Sequence, residues 1–319
     1  MTREWQQRPE GGGRFALWLF SGFAQHCGRG IARLVLHPIT LYFMLRRGPE
    51  RRASRAYLTR VLGRRASWWQ VARHFHCFAA VTLDRVFLLS RGIEKFDIRS
   101  QGLDELHALI DRRGGVLMLG AHLGSFEVLR ALSLKRPDVH SRVVVDVVQN
   151  PSVSTLLNAL NPGLAASLIN ARQDGTAIVL AIKETLDERG IVTMLADRAR
   201  PGNAMVKCRF LGDEAPFPTA PWLIAATLRV PVALCFGLYR GGNCYDLYFE
   251  TFAETLSIER RTRAADLAGI VQRYADRLGD YARRAPYNWF NFYDFWNADD
   301  APTDAARAAD AAAGAERRR

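Results

Sequence analysis

The sequence predicts an α/β fold, a mostly parallel central sheet flanked by helices and preceded by a hydrophobic, basic helical region. Three observations carry this. From residue 97 onward short apolar runs of strand length alternate with stretches of helical periodicity, which is the pattern of βαβ units. Late in the chain a Gly-Gly-Asn turn (residues 241–243) joins two β-rich runs, VPVALCFGLY and CYDLYFETF, predicting an antiparallel pair at one edge of the sheet. Before residue 96 the apolar spacing is helical only, with arginines crowded between.

Taken in order, FALWLFSGFAQHCG (15–28) carries no formal charge, Arg29 and Arg33 interrupt, and LVLHPITLYFML follows at 34–45. Neither run reaches the ~20 residues of a membrane-spanning helix, and Pro38 is expected to kink the second. No small-residue cleavage site of the signal-peptide kind follows. Trp18, Tyr42 and the flanking arginines suit a helix lying at or dipping into a headgroup layer; packing on the chain's own core is the other reading. Residues 48–89 read as two helices with a basic face, Trp68 and Trp69 marking their junction. Predicted strands then lie in GVLMLGA (115–121), RVVVDVV (142–148), ASLIN (166–170) and IVTMLAD (191–197). Helices are expected after the first strand, running to about Lys135, from Pro151, over TAIVLAIKETLDERG, at 221–228 and from about 259 to 284. A Gly/Pro-rich irregular stretch follows residue 197. The division expected is 1–95 for the membrane-associating helices, 96–297 for a catalytic domain, and 298–319 for a disordered, low-complexity tail.

Composition narrows the partners. The chain has 319 residues and a formal net charge of +12, which favours phosphate-bearing or acidic partners: anionic lipid, an acidic carrier protein or nucleic acid. No helix-turn-helix, zinc-finger or RNA-binding signature is present, so nucleic acid is not expected. Five cysteines without a CxxC spacing argue against a disulfide scaffold or zinc knuckle. No metal site is expected, since His74 and His76 are two apart on a helix and point in different directions.

MLGAHLGSFEVLR (118–130) sets His122 just past a strand and Glu127 five residues on. Ligands of open α/β sheets bind at that carboxyl end of the strands. Gly120 and Gly124 let the backbone turn and a substrate approach, while Ser125 or Gly124 can cap the next helix, with Glu127 in its first turn. Residues five apart on a helix do not share a face, so the reading puts His122 in the loop, folded back on Glu127. Two interpretations stand: a packed corner with a polar pair, or a general base with its orienting carboxylate. No G-x-S-x-G supplies a nucleophile, so a hydroxyl or amine of the acceptor completes the second. Arg198 and Arg200, at another strand end beside Pro201 and Gly202, are either a surface pair or a clamp for phosphate. Asp197 either holds Arg198 or contacts the acceptor. Phe210, Leu211, Gly212 and Phe217 wall a channel for an apolar chain or pack in the core, and the aromatics from Trp289 to Trp296 form a membrane-facing patch or a core anchor.

GAHLGSFE resembles the HX4D/E signature of the lysophospholipid acyltransferase superfamily, in its bacterial lipid A biosynthesis (late) acyltransferase branch. The amino-terminal blocks ARLVLHPITLYFML and RRASRAYLTRVLG, the block MLADRARPGNAMVKCRFLGDEAPFPTAPWLIAATLRVPVALCFGLYRGG and the ending APYNWFNFYDFW are similar to it too, so the likeness spans roughly residues 10–296. HX4E alone is weakly specific, whereas four blocks in order are strongly so. The resemblance implies an inner-membrane enzyme on the cytoplasmic face, without a cofactor, with His122 as general base and Glu127 orienting it. It would move an acyl group from acyl carrier protein or a coenzyme A thioester to a lipid or glycolipid acceptor. Asp197-Arg198 departs from the branch's Asp-Gln, and NWFNFYDFW is similar to acyltransferases of aryl polyene clusters, which leaves lipid A, an aryl polyene, an aminolipid or another glycolipid as acceptor. A thioesterase using water, or a non-catalytic anionic-lipid-binding protein, are the readings of other classes.

Overall fold

Continuous apolar runs become the centre of a seven-stranded sheet in the computed structural model, which describes residues 14–91, 93–128, 139–146, 167–198 and 203–296, with side chains from residue 28 onward save 90 and 91. In order these form α1 (Arg14–Arg46), α2 (Gly48–Leu62), α3 (Trp68–Arg91), β1 (Asp97–Gln101), α4 (Leu103–Arg113), β2 (Val116–Gly120), β3 (Ser141–Val145), β4 (Leu168–Asn170), α5 (Gly175–Asp187), β5 (Ile191–Leu195), β6 (Met205–Phe210), β7 (Asp213–Pro218), α6 (Ala220–Leu228), β8 (Val232–Gly241), β9 (Cys244–Ala253) and α7 (Arg263–Arg284). The expected helices beyond residue 128 and from Pro151, the end of the strand at 142–148, Arg200 and the tail lie outside the described residues.

The sheet order is β1-β9-β8-β2-β5-β3-β4. Every neighbouring pair is parallel except β8 with β9, so the α/β class with a mostly parallel sheet is what the chain adopts. Alternation along the central strands divides the core into two layers. Leu117 and Leu119 of β2, with Val232, Leu234, Phe236 and Leu238 of β8, face α2, α5, α6 and α7. Val116 and Met118, with Ala233 and Cys235, face α1, α3 and α4. Buried residues of the first three helices therefore belong to the same clusters as those of the sheet.

Three expectations are corrected. The Gly-Gly-Asn hairpin is antiparallel, but it is not the edge: β1 pairs with β9 outside it. The strand DIRSQ is mostly exposed, so it lacks the apolar run by which the inner strands are read. The stretch after residue 197 includes an antiparallel hairpin, β6–β7, turning at Leu211 and Gly212 with φ of 51° and 101°. The non-helical residue in α1 is Gly28 (φ 82°, ψ 164°) rather than Pro38. Glycine enters that region at no steric cost; Pro38 lies on the exposed side of the helix, where the Leu34 carbonyl that it deprives of a partner meets no core.

A buried ion pair fastens α1 to this frame. Asp84 of α3, fully buried, takes Arg29 Nε at 2.7 Å and Nη2 at 2.9 Å, and Tyr245 of β9 donates its hydroxyl at 2.9 Å. Two donors from one guanidinium and a third from β9 satisfy the carboxylate, which is what burying a charge requires.

Candidate active site

The site grows out of the pairing of β2 with β5. The two strands run parallel with Gly120 opposite Leu195, and Ala196 N–H bonds to Gly120 O at 2.9 Å as the chains leave the sheet. His122 and Asp197 each stand two residues past those partners, so the register brings together side chains 75 positions apart. His122 Nδ1 lies 2.8 Å from Asp197 Oδ1, and its backbone N–H donates to Asp197 Oδ2 at 3.0 Å. The Trp289 indole donates to the same Oδ2, also at 3.0 Å. Facing a carboxylate, Nδ1 carries the proton and Nε2 keeps its lone pair. Among the described residues Nε2 has no hydrogen-bond partner. The Asp197 side chain is fully buried while that of His122 is 36% exposed: the imidazole is anchored on its inner side and open on its outer side.

Electrostatics hold the pair in that state. Burial and the Arg198 charge lower the His122 pKa, and Asp197 only partly offsets them. Burial alone would raise Asp197, but the His122 charge and hydrogen bond, Arg198 and the Trp289 N–H keep its carboxyl well below the usual range. The ring is thus neutral and the acid ionised near neutral pH.

The loop is shaped by Gly124 (φ 70°), where a Cβ would meet Gly237 O at 1.8 Å. Gly124 N–H donates to Asn288 O and Ser125 N–H to Gly237 O, each at 2.8 Å. Ser125 is fully buried and its Oγ accepts from Val128 N–H at 3.4 Å, capping the helix whose described turn is 126–128. Glu127 lies in that first turn, as expected, but its contacts are not with the imidazole. Oε1 lies 2.6 Å from Arg85 Nε, off the line of a hydrogen bond, and Oε2 accepts from Ser125 Oγ at 3.3 Å. The local fold-back of His122 on Glu127 is replaced by a long-range bond to Asp197, since the sheet register delivers that carboxylate to the ring whereas the helix turns Glu127 toward α3.

Arg198 donates Nη2 to Phe290 O and stacks its guanidinium 5.3 Å from the centre of the Tyr293 ring. Gly124, Ser125, Asp197 and Arg198 thus gather round His122, and Arg200 lies outside the described residues. Phe210 and Phe217 are fully buried core residues, as are Trp289 and Phe295. Sequence reasoning missed Arg85 as the Glu127 partner, Trp289 as a donor to Asp197, and Tyr274, whose hydroxyl bonds to Gly120 O at 2.8 Å. Asp197 is among the candidates from sequence, but not as the partner of His122: both follow a strand end, and only the pairing of β2 with β5 makes those two ends adjacent.

Residues 24–297 match the family described as bacterial lipid A biosynthesis acyltransferase. The chain belongs to that family. It is accordingly an acyltransferase of the lipid A type, a class that takes an acyl thioester donor and a lipid acceptor. No curated protein matches the chain.

Proposed function

We propose that this lipid A-type acyltransferase works by direct transfer, with His122 as general base and Asp197 as the carboxylate that orients it. The observation that carries the reading is the imidazole itself: Nδ1 fixed to a buried carboxylate at 2.8 Å and a ring still 36% exposed at the carboxyl end of β2. The acceptor hydroxyl or amine gives its proton to His122 Nε2 as its oxygen or nitrogen attacks the thioester carbonyl. A C–O or C–N bond forms, the C–S bond breaks, and the imidazolium returns the proton to the leaving thiolate. Base catalysis of this kind contributes about 10²–10⁴-fold. Glu127, paired with Arg85, holds the first turn of the helix behind the base, and Arg198 and Arg200 are the cationic contacts for an acceptor phosphate.

The formal charge of +12 supports acyl carrier protein, an acidic partner, as donor and an anionic membrane as the acceptor's surface. On α1, Ile31, Leu34, Pro38, Leu41, Tyr42 and Leu45 are exposed and at 100° per residue fall within an arc of about 100°. Trp69, 85% exposed, stands at the start of α3 beside exposed Arg64 and Arg65. No described helix is long and apolar enough to cross a membrane; the stripe suits a helix lying in the interface of the inner membrane's cytoplasmic face.

His122→Ala should abolish acyl transfer from acyl carrier protein to a glycolipid acceptor while the folded protein still binds vesicles. Undiminished turnover removes the base. Release of free fatty acid without an acceptor, at the rate of transfer, would instead favour a thioesterase.

A further inference from the structure

We propose that Trp289 is a positioning residue for the His122–Asp197 pair, its indole N–H fixing one carboxylate oxygen so that the other faces the imidazole. The inference rests on the reading of His122 as the base.

Asp197 Oδ2 receives two donors, the His122 backbone N–H and Trp289 Nε1, each at 3.0 Å. With that oxygen held, the carboxylate is kept from turning about its C–C bond, and Oδ1 stays in line with Nδ1. The indole is itself immobile. It is fully buried, with the rings of Tyr57, Phe210 and Phe295 at 5.0, 5.2 and 5.0 Å between centroids and at steep angles. Its backbone is gripped from both sides. Phe290 N–H donates to His122 O at 2.9 Å, Gly124 N–H donates to Asn288 O at 2.8 Å, and Leu123 bridges Trp289. From behind, Trp289 O lies 3.0 Å from Nε2 of His74, whose Nδ1 lies 2.8 Å from Ser54 Oγ. Burial pushes the His74 pKa down to about 4, partly countered by the bond to Trp289. A neutral His74 must then donate from Nε2 to the carbonyl and accept the Ser54 hydroxyl at Nδ1, so the tautomer is fixed by its neighbours. Ser54, His74, Trp289, Asp197 and His122 form one continuous chain from α2 to the base.

A ring that only filled space would need no N–H. An indole that positions the acid does, and the two roles separate on removal of that hydrogen. The test uses Trp289→Phe and, because phenylalanine also leaves a void, full-length protein carrying the benzothienylalanine isostere at 289, with sulfur in place of the N–H. Without the donor, Asp197 gives more of its charge to the imidazolium, so the acid limb of kcat/KM moves to higher pH. Loss of aim should lower kcat about 10- to 100-fold, with KM for the acyl thioester changed less than about twofold. Phe295→Leu removes packing against the indole and spares its N–H; it should lower the melting temperature and leave the acid limb in place. An isostere with wild-type kcat and acid limb overturns the proposal, and so does a Phe295→Leu limb that moves equally. If His122→Ala is inert while the isostere behaves as wild type, this inference alone fails; an active His122→Ala removes the base reading beneath it.

Discussion

At the residue scale the site depends on a position where no side chain fits. Gly124 has φ 70° and a missing Cβ whose place lies 1.8 Å from Gly237 O. Alanine there meets both the left-handed backbone cost and a backbone atom that cannot move aside without displacing β8. Gly124→Ala should cost about 2–4 kcal/mol of stability, as overpacking plus a strained residue does. It should also lower turnover about 100-fold by shifting His122. Denaturant unfolding and steady-state rates check this; unchanged rates in a folded variant would mean that the loop is not the seat of the base. His122 itself was legible, because a polar ring just past a buried run stands out. Its partner was not, since nothing local distinguishes Asp197 from Glu127 as an acceptor.

At the scale of elements, legibility followed burial. The strands β2, β5 and β8 have hydrophobic residues on both faces and read as continuous runs. Strand β1 is mostly exposed and the β6–β7 hairpin mixes prolines, acids and bases, so neither shows a period. Helix α1 was legible as a helix, and its two faces explain why two readings of it arose. Ala32, Leu36, Thr40 and Met44 are buried, and Ile31, Leu34, Leu41 and Leu45 are more than half exposed. The buried face carries the core-packing reading, and the exposed face is the one that a lipid surface would meet. If the outer face seats on lipid, the pair Leu34→Glu and Leu41→Glu should weaken sedimentation with anionic vesicles at least about tenfold, with helix content unchanged by circular dichroism. Binding as strong as wild type would count against the stripe.

For the whole molecule, one buried histidine couples stability to pH. His74 is fully buried with its pKa at about 4 against 6.5 for the free side chain. Between those values the unfolded chain binds the extra proton, so stability rises with pH across the window and falls on acidification. The full contribution is present above about pH 6.5 and is gone below about pH 4; by pH 4.5 the loss is about 2–3 kcal/mol. His122, also lowered, adds in the same direction. Unfolding free energies at pH 7 and 4.5 should differ more for the wild type than for His74→Gln. Equal slopes would show that His74 is not buried neutral in solution.

By itself the sequence determined the α/β class, the inner strands, the basic hydrophobic helices and the place of the histidine. Each is written in local periodicity and in where polar residues interrupt it. Only the tertiary structure decided which acid meets that histidine, which indole steadies the acid, and which strand closes the sheet. Those depend on strand register and on chain segments 75 and 167 positions from His122, and no local pattern encodes a partner that far away.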